Sequence, residues 1–299
     1  MTSLGVILPP WFPPERLRGA VQVAEETGVE QVWLWEDCFS QSGLASAAAA
    51  LAWTERVQVG VGLLPVPLRN VALTAMEIAT LDRMFPGRFH AVLGHGVQSW
   101  MGQAGARVES PLTLLKEYIE ALRALLAGDT VTVDGRYVKL DAVALHWPPR
   151  DPPAVLAGAT GERTLAMLGA TADGVLIDFG QSPASLRATL AAIGEAAAAA
   201  GRPAPRALHY AYGATGARAR ERLTAVLGEE WSEDPELRRG AAGDAADLAD
   251  AVRRWYAAGG RALRARVRHR PPAARRRTVP RARCAGHSAT TPRPARSPA

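Results

Sequence analysis

The feature that most limits how this chain can fold is the rhythm of its first 260 residues, where short apolar runs alternate with longer amphipathic ones. The short runs fall at residues 4–8, 31–35, 57–63, 89–94, 154–157, 174–178 and 207–211, and they are rich in Val, Leu, Ile and Trp. Most are continuously apolar. A strand with one wet face alternates, whereas a strand of a parallel sheet covered on both faces does not, so these runs read as parallel strands. Helical patterns lie between them. Leu112, Leu115, Ile119, Leu122 and Leu126 fall on one stripe, as do Thr74, Ile78, Leu81 and Phe85. Residues 15–28 and 183–201 read as helices stopped by glycine. Asp244 offers an N-cap to a helix that places Leu248, Val252 and Trp255 on one face. Strands that alternate with helices predict βα units, and therefore an α/β barrel or a doubly wound sheet.

Two segments depart from the rhythm. Residues 130–140 (TVTVDGRYVKL) read as a hairpin around Asp134-Gly135, inside an insertion from about Val97 to Pro153 after the fourth strand. Insertions of that size commonly shape an active-site rim. Residues 261–299 hold twelve arginines and six prolines, with no acidic residue and no Phe, Trp or Tyr. They read as a separate basic tail that cannot bury enough apolar surface to order. The abrupt change near Gly260 also fits a lost reading frame. The eighth strand of a barrel should follow the helix at 244–258, but residues 262–268 (ALRARVR) make a poor buried strand. The expectation is a barrel domain at 1–260 whose last strand and helix are degraded or replaced.

The tail also distorts the charge. The chain carries +6, and without the tail's twelve arginines the body stands at −6. That acidic body argues against a nucleic-acid role except through the tail. No apolar run is long enough to span a membrane, and the proline-broken N-terminus does not read as a signal peptide. Cys38 and Cys284 form no disulfide framework or metal pattern, so the expectation is a cytoplasmic protein without a metal. Ser-His-Asp sets, HExxH, a Walker loop and a first-strand GxGxxG are all missing.

In parallel α/β barrels the chemistry sits at the C-terminal ends of the strands. The residues there are Pro9-Pro10-Trp11, Glu36-Asp37-Cys38, Gly62-Leu63, Gly94-His95-Gly96, Gly158-Ala159-Thr160-Gly161 and Asp178-Phe179-Gly180. In the fifth, small residues lead into a helix start whose free N–H groups suit a phosphate. Gly94 and Gly96 let a flat ring approach the backbone beside His95. Trp11 and Phe179, with Trp35 and Trp100, suggest an apolar pocket for a planar substrate. Each signal has a plainer reading. GATG is also an ordinary tight loop, Asp37 a cap of local backbone, His95 a satisfied polar residue and the aromatics rim packing.

The runs LWEDCF, VQVGVGLLPVPLRNVALTAMEIATLDRMFPGRFHAVLGHG and PAVLAGATGERTLAMLGATADGVLID, in that order, resemble the luciferase-like monooxygenase family. The similarity covers about residues 4–258. It implies a (β/α)₈ TIM barrel and an oxidoreductase that uses the deazaflavin coenzyme F420 or FMN on a small organic substrate. Gly62, Leu63, Gly94, Gly96, Gly158, Ala159, Thr160 and Gly161 would then bind the cofactor. A non-proline cis peptide is implied at Gly62-Leu63. Asp37 matches the acidic position of F420 enzymes and, with His95, is the expected catalytic pair. Cys38 stands where a histidine is common, and it joins Trp11 and Phe179 in the substrate pocket. His95 replaces the arginine with which FMN-using relatives often grip the phosphate, which favours F420. The leading expectation is hydride transfer between F420 and an organic substrate. The rivals are an FMN-dependent monooxygenase acting with O₂ and a damaged, non-catalytic barrel with a frameshifted C-terminus. Family members commonly dimerise, so a homodimer is expected, with no interface legible here.

Overall fold

The computed structural model describes Ser3–Gly260 in full and the backbone of Ala262–Val267. In chain order the elements are β1 (Ser3–Ile7), α1 (Leu17–Glu26), β2 (Gln31–Leu34), α2 (Gly43–Ala52), β3 (Gln58–Pro65), α3 (Val71–Met84) and β4 (Phe89–Gly94). Then come α4 (Gln98–Gln103), α5 (Pro111–Ala127), β5 (Val131–Asp134), β6 (Lys139–Val143), β7 (Leu156–Ala159), α6 (Glu162–Thr171) and β8 (Gly174–Ile177). The rest are α7 (Pro183–Ala199), β9 (Arg206–Thr215), α8 (Ala219–Leu227), β10 (Gly240–Gly243), α9 (Ala245–Ala257) and β11 (Ala262–Val267).

Eight parallel strands close into a ring in the order β1-β2-β3-β4-β7-β8-β9-β11, and β11 returns to β1. The last strand comes from the segment that reads as a poor one. Its backbone pairs with β1 from Ser3↔Ala262 to Val6↔Ala265 and with β9 from Leu208↔Ala262 to Gly213↔Val267. Without it β1 and β9 would each present an open row of N–H and C=O groups, a demand on the backbone that side-chain pattern does not display. These six residues lie within the segment assigned to the tail. The β11 side chains, the helix expected after it and the rest of 268–299, with the reading-frame question, lie outside the described residues.

Two cores follow from the closure. Inside the ring, Ile7, Trp33, Val92, Leu156, Leu176, Leu208 and Tyr210 pack on one another. Outside it, the helices bury their stripes against the strands, with Leu115, Ile119, Leu122 and Leu126 of α5 all buried. Side chains alternate along a strand, so Trp33 on β2, Leu176 on β8 and Leu208 and Tyr210 on β9 point inward, and Trp35 and Phe179, just beyond their strands, pack on the same cluster toward the C-terminal mouth. Asp244 caps α9 as expected, accepting from the Ala246 and Asp247 N–H groups. The hairpin is β5–β6. Glu117 of α5 fixes its turn by accepting the N–H groups of Arg136, Tyr137 and Val138. β10 extends the wall beyond the end of β8, pairing with β9 from Gly240↔Tyr212 to Gly243↔Thr215.

Candidate active site

The strand order sorts the residues singled out above into two halves of one rim. β3, β4 and β7 are consecutive in the ring, so Gly62-Leu63, Gly94-His95-Gly96 and Gly158–Gly161 occupy three adjacent strand ends. Trp11 and Asp37 follow β1 and β2 on one side of them, and Asp178-Phe179 follows β8 on the other.

Aromatic side chains cross between the flanks. The Trp35 ring lies 6.1 Å from Trp11 and 6.2 Å from both Phe179 and Tyr210, while Phe179 stacks on Tyr212 at 4.3 Å. Strands β2 and β8 stand on opposite sides of the eight-stranded ring, so the Trp35–Phe179 contact spans the lumen and closes its upper end. Trp100, on α4, makes no ring contact among the described residues. The Tyr210 hydroxyl also crosses, donating to the Gly62 carbonyl at 3.0 Å. Sequence reasoning did not single out Tyr210. Its signal is the two-residue spacing of Leu208, Tyr210 and Tyr212, which becomes informative only once β9 is known to line a lumen.

The Gly62-Leu63 peptide is cis, and Cys38-Phe39 is a second non-proline cis bond. A Cβ on Gly62 would overlap the Tyr210 hydroxyl, and one on Gly94 would overlap the Leu63 side chain. Both glycines are therefore required by packing at the mouth, where the chain leaves no room for a side chain.

The end of β2 is held firmly. Arg69 Nη1 donates to Glu36 Oε2 at 2.6 Å, and Glu36 Oε1 also accepts the Gly43 N–H at the start of α2 at 2.9 Å. Burial opposes the Arg69 charge, but the Glu36 and Glu77 carboxylates outweigh it and hold the guanidinium above its ordinary range. Burial raises the Glu77 carboxyl despite Arg69. This cluster, unforeseen from sequence, anchors the segment that presents Asp37. The Cys38 thiol is pushed up by burial and by the charges of Glu36 and Asp37, so it is a poor nucleophile.

His95 is half-buried. Its Nε2 is a buried atom with no hydrogen-bond partner among the described residues, and burial lowers its pKa, which keeps the ring neutral at neutral pH. Next door, α6 begins at Gly161 with no side-chain cap, and Thr160 and Gly161 are exposed. Asp178 is exposed at the rim; partial desolvation, and after it the charge of Asp37, raise its carboxyl, although the Phe179 N–H donates to Oδ1 at 2.8 Å.

A cavity of about 1490 Å³ lies at the other end of the barrel, between Gln31, Gln58, His90, Arg206 and neighbouring strand starts. Four of its lining residues, Gln31, Trp33, Gln58 and His90, are paired with one another. Gln31 donates to Gln58 at 2.7 Å, Trp33 to Gln31 at 3.2 Å, and His90 Nε2 lies 3.1 Å from the same Gln58 oxygen. At that face these paired side chains tie the strand starts together. Among the described residues no His, Cys, Asp and Glu group could hold a metal, and no helix is long and apolar enough to cross a membrane.

Comparison with known proteins matches this arrangement to a family. The chain matches the luciferase-like monooxygenase family over residues 2–266. It is 33% identical over 177 residues to the 5,10-methylenetetrahydromethanopterin reductase of Methanolobus tindarius, a match covering 59% of this chain and 54% of that protein. The chain thus spans about half the length of that curated relative. In fold it is similar to the coenzyme F420 dependent tetrahydromethanopterin reductase of Methanopyrus kandleri, with a TM-score of 0.75 at 21% identity over 89% of this chain and 93% of that one. A monooxygenase from Streptomyces bottropensis superposes with a TM-score of 0.74 at 20% identity, over 89% of this chain and 92% of its own. The chain belongs to the luciferase-like monooxygenase family.

Proposed function

We propose that this chain is an oxidoreductase that binds coenzyme F420 across the ends of β3, β4 and β7 and exchanges a hydride with a small organic substrate lying toward Trp11, Cys38 and Phe179. The observation that carries the reading is the His95 ring: neutral, between two glycines, with a buried Nε2 that lacks a partner. A buried polar atom without a partner costs about 1–3 kcal/mol, so such a group marks a place where a ligand completes the site. The uncapped start of α6 on the adjacent strand end offers N–H groups to the cofactor phosphate. The absence of an arginine at position 95 and the F420-dependent relatives favour F420 over FMN.

When bound, the reduced deazaflavin supplies a hydride. The chain's own residues do the rest. Gly62, Leu63, Gly94 and Gly96 give the ring a close backbone wall, and Gly158, Ala159, Thr160 and Gly161 hold the phosphate. Asp37 and His95 orient the ring and its partner, and the aromatic floor of Trp35, Phe179 and Tyr210 excludes water from below. The second reading, an FMN-dependent monooxygenase, rests on the monooxygenases of the same fold.

Fluorescence and absorbance titrations with F420 and with FMN test the choice. F420 is expected to bind at least about tenfold more tightly, a difference of about 1.4 kcal/mol. Tight FMN binding with no affinity for F420 overturns the assignment.

A further inference from the structure

The supports behind the candidate site converge on one residue. Glu36 stands just past β2, next to Asp37, and it reaches three other segments. Its N–H donates to the Leu63 carbonyl at 3.4 Å, beside the cis Gly62-Leu63 bond at the end of β3. Its Oε1 accepts the Gly43 N–H at 2.9 Å and the Ser42 hydroxyl at 3.4 Å, at the start of α2. Both carboxylate oxygens accept from Arg69, just beyond β3, with Nη1 to Oε2 at 2.6 Å and Nη2 to Oε1 at 3.4 Å. We infer that Glu36 and Arg69 are positioning residues that lock the Asp37-Cys38 segment to the Gly62-Leu63 wall, so that these two sides of the site keep one spacing. The inference rests on the oxidoreductase reading above and names what sets the shape of its site.

The packing leaves the pair little play. A Cβ on Gly43 would lie 2.8 Å from Glu36 Cγ and 2.6 Å from Val61 Cγ1, so the start of α2 sits directly against the Glu36 stem and against β3. A carboxylate at the first turn of a helix is favoured by the helix dipole. A guanidinium that reaches both its oxygens fixes the plane of the carboxylate as well as its place. Arg69 is held in turn. Glu77 Oε2 stands 3.6 Å from its Nε, and its carbonyl lies 3.4 Å from the Tyr118 hydroxyl of α5, which donates to the Thr74 hydroxyl at 2.6 Å.

The Glu36 and Arg69 side chains are only 11% and 16% exposed. At that depth desolvation offsets much of the attraction, and the pair adds little net stability over apolar residues of the same shape. What it supplies is fixed geometry. Asp37 and Cys38 follow Glu36 directly, and Gly62 and Leu63 precede Arg69 by a few residues. The β3 end is also held from across the lumen, where the Tyr210 hydroxyl donates to the Gly62 carbonyl at 3.0 Å. A shift at Glu36 therefore passes to two candidate walls at once, and a working site tolerates displacements of only about 0.5 Å.

The test uses the full chain and E36Q, which keeps the size of the side chain and an acceptor oxygen but removes the charge that grips Arg69. Without cofactor, hydrogen exchange is expected to rise in E36Q in two peptides together, 34–43 and 60–66, while 86–90 at the base stays unchanged. F420 affinity should fall about tenfold or more, the scale of a misplaced site, and the emission maximum of bound F420 should shift. Q58A, altered at the other end of the barrel, is the control and should show neither change. R69K, which keeps a cation without the fork, should retain part of the affinity that R69M loses. Exchange that rises at 34–43 alone, an E36Q chain that binds F420 like wild type, or a loss no larger than that of Q58A each overturns the proposal. The exchange measurement needs no cofactor, so its outcome separates from the F420 reading. A chain that binds only FMN while both peptides respond loses the cofactor assignment and keeps the coupling, and its affinities are then read with FMN.

Discussion

The two ends of this barrel hold similar kinds of side chain in opposite states. At the N-terminal end, Gln31, Gln58, His90 and Trp33 pair with one another around a cavity of about 1490 Å³. At the C-terminal end His95 Nε2 lacks a partner among the described residues and α6 starts uncapped. A satisfied polar network contributes to stability, whereas an unsatisfied one at a strand terminus is where a ligand adds free energy. The contrast predicts that changes low in the barrel alter the melt and spare the cofactor, and that changes at the mouth do the reverse.

The largest effect should come from Trp33→Ala, which empties a fully buried site in the lumen floor. A loss of about 3–5 kcal/mol is expected in chemical denaturation. Trp35→Phe, one layer up, should cost under about 1.5 kcal/mol while weakening F420 binding. If the two variants behave alike, the division between the ends is wrong.

Next is His209, buried on the outer face of β9 against Trp255, with neither ring nitrogen partnered among the described residues. Burial takes its pKa down to about 4. The unfolded chain binds this proton near pH 6.5 and the folded one does not, so stability is complete above pH 6.5 and falls as the pH drops toward 4. The full loss is about 3 kcal/mol. His209→Leu should flatten that limb of the stability–pH curve. A wild-type curve that is already flat there contradicts the prediction.

Gly62→Ala should cost about 1–3 kcal/mol through overlap with the Tyr210 hydroxyl. Removing that hydroxyl in Tyr210→Phe should recover part of the loss, which a double-mutant cycle measures. The smallest effect belongs to Gln58→Ala at the base. It removes the Gln58 hydrogen bonds to Gln31 and His90 for about 1–2 kcal/mol, with F420 affinity unchanged within about twofold.

How much of this was legible in the sequence depended on what each element buries. The seven apolar runs became strands, and the stripe at 112–126 became α5, because both bury large side chains in a regular pattern. α2 and β10 carried no such signal. α2 is a run of alanines between Gly43 and Ala52 with no contrast between faces, and β10 is Gly-Ala-Ala-Gly. β11 looked wrong because its side-chain pattern is polar, yet the ring needed a strand between β9 and β1. In the site, the candidates at strand ends could be read from the rule about where barrels place chemistry. The contacts across the lumen could not. Tyr210 and Gly62 are 148 residues apart, and only closure of the ring brings them together. Arg69 as the anchor of Glu36, 33 residues away and beyond the neighbouring strand, was likewise marked by no pattern.

Hydrogen exchange measured peptide by peptide, with and without F420, tests the central claim most directly. The account predicts new protection in peptides spanning residues 34–40, 60–66, 92–98, 156–164 and 176–182. Protection that appears instead at 28–31, 56–58, 86–90 and 150–154, around the large cavity at the base, would contradict it.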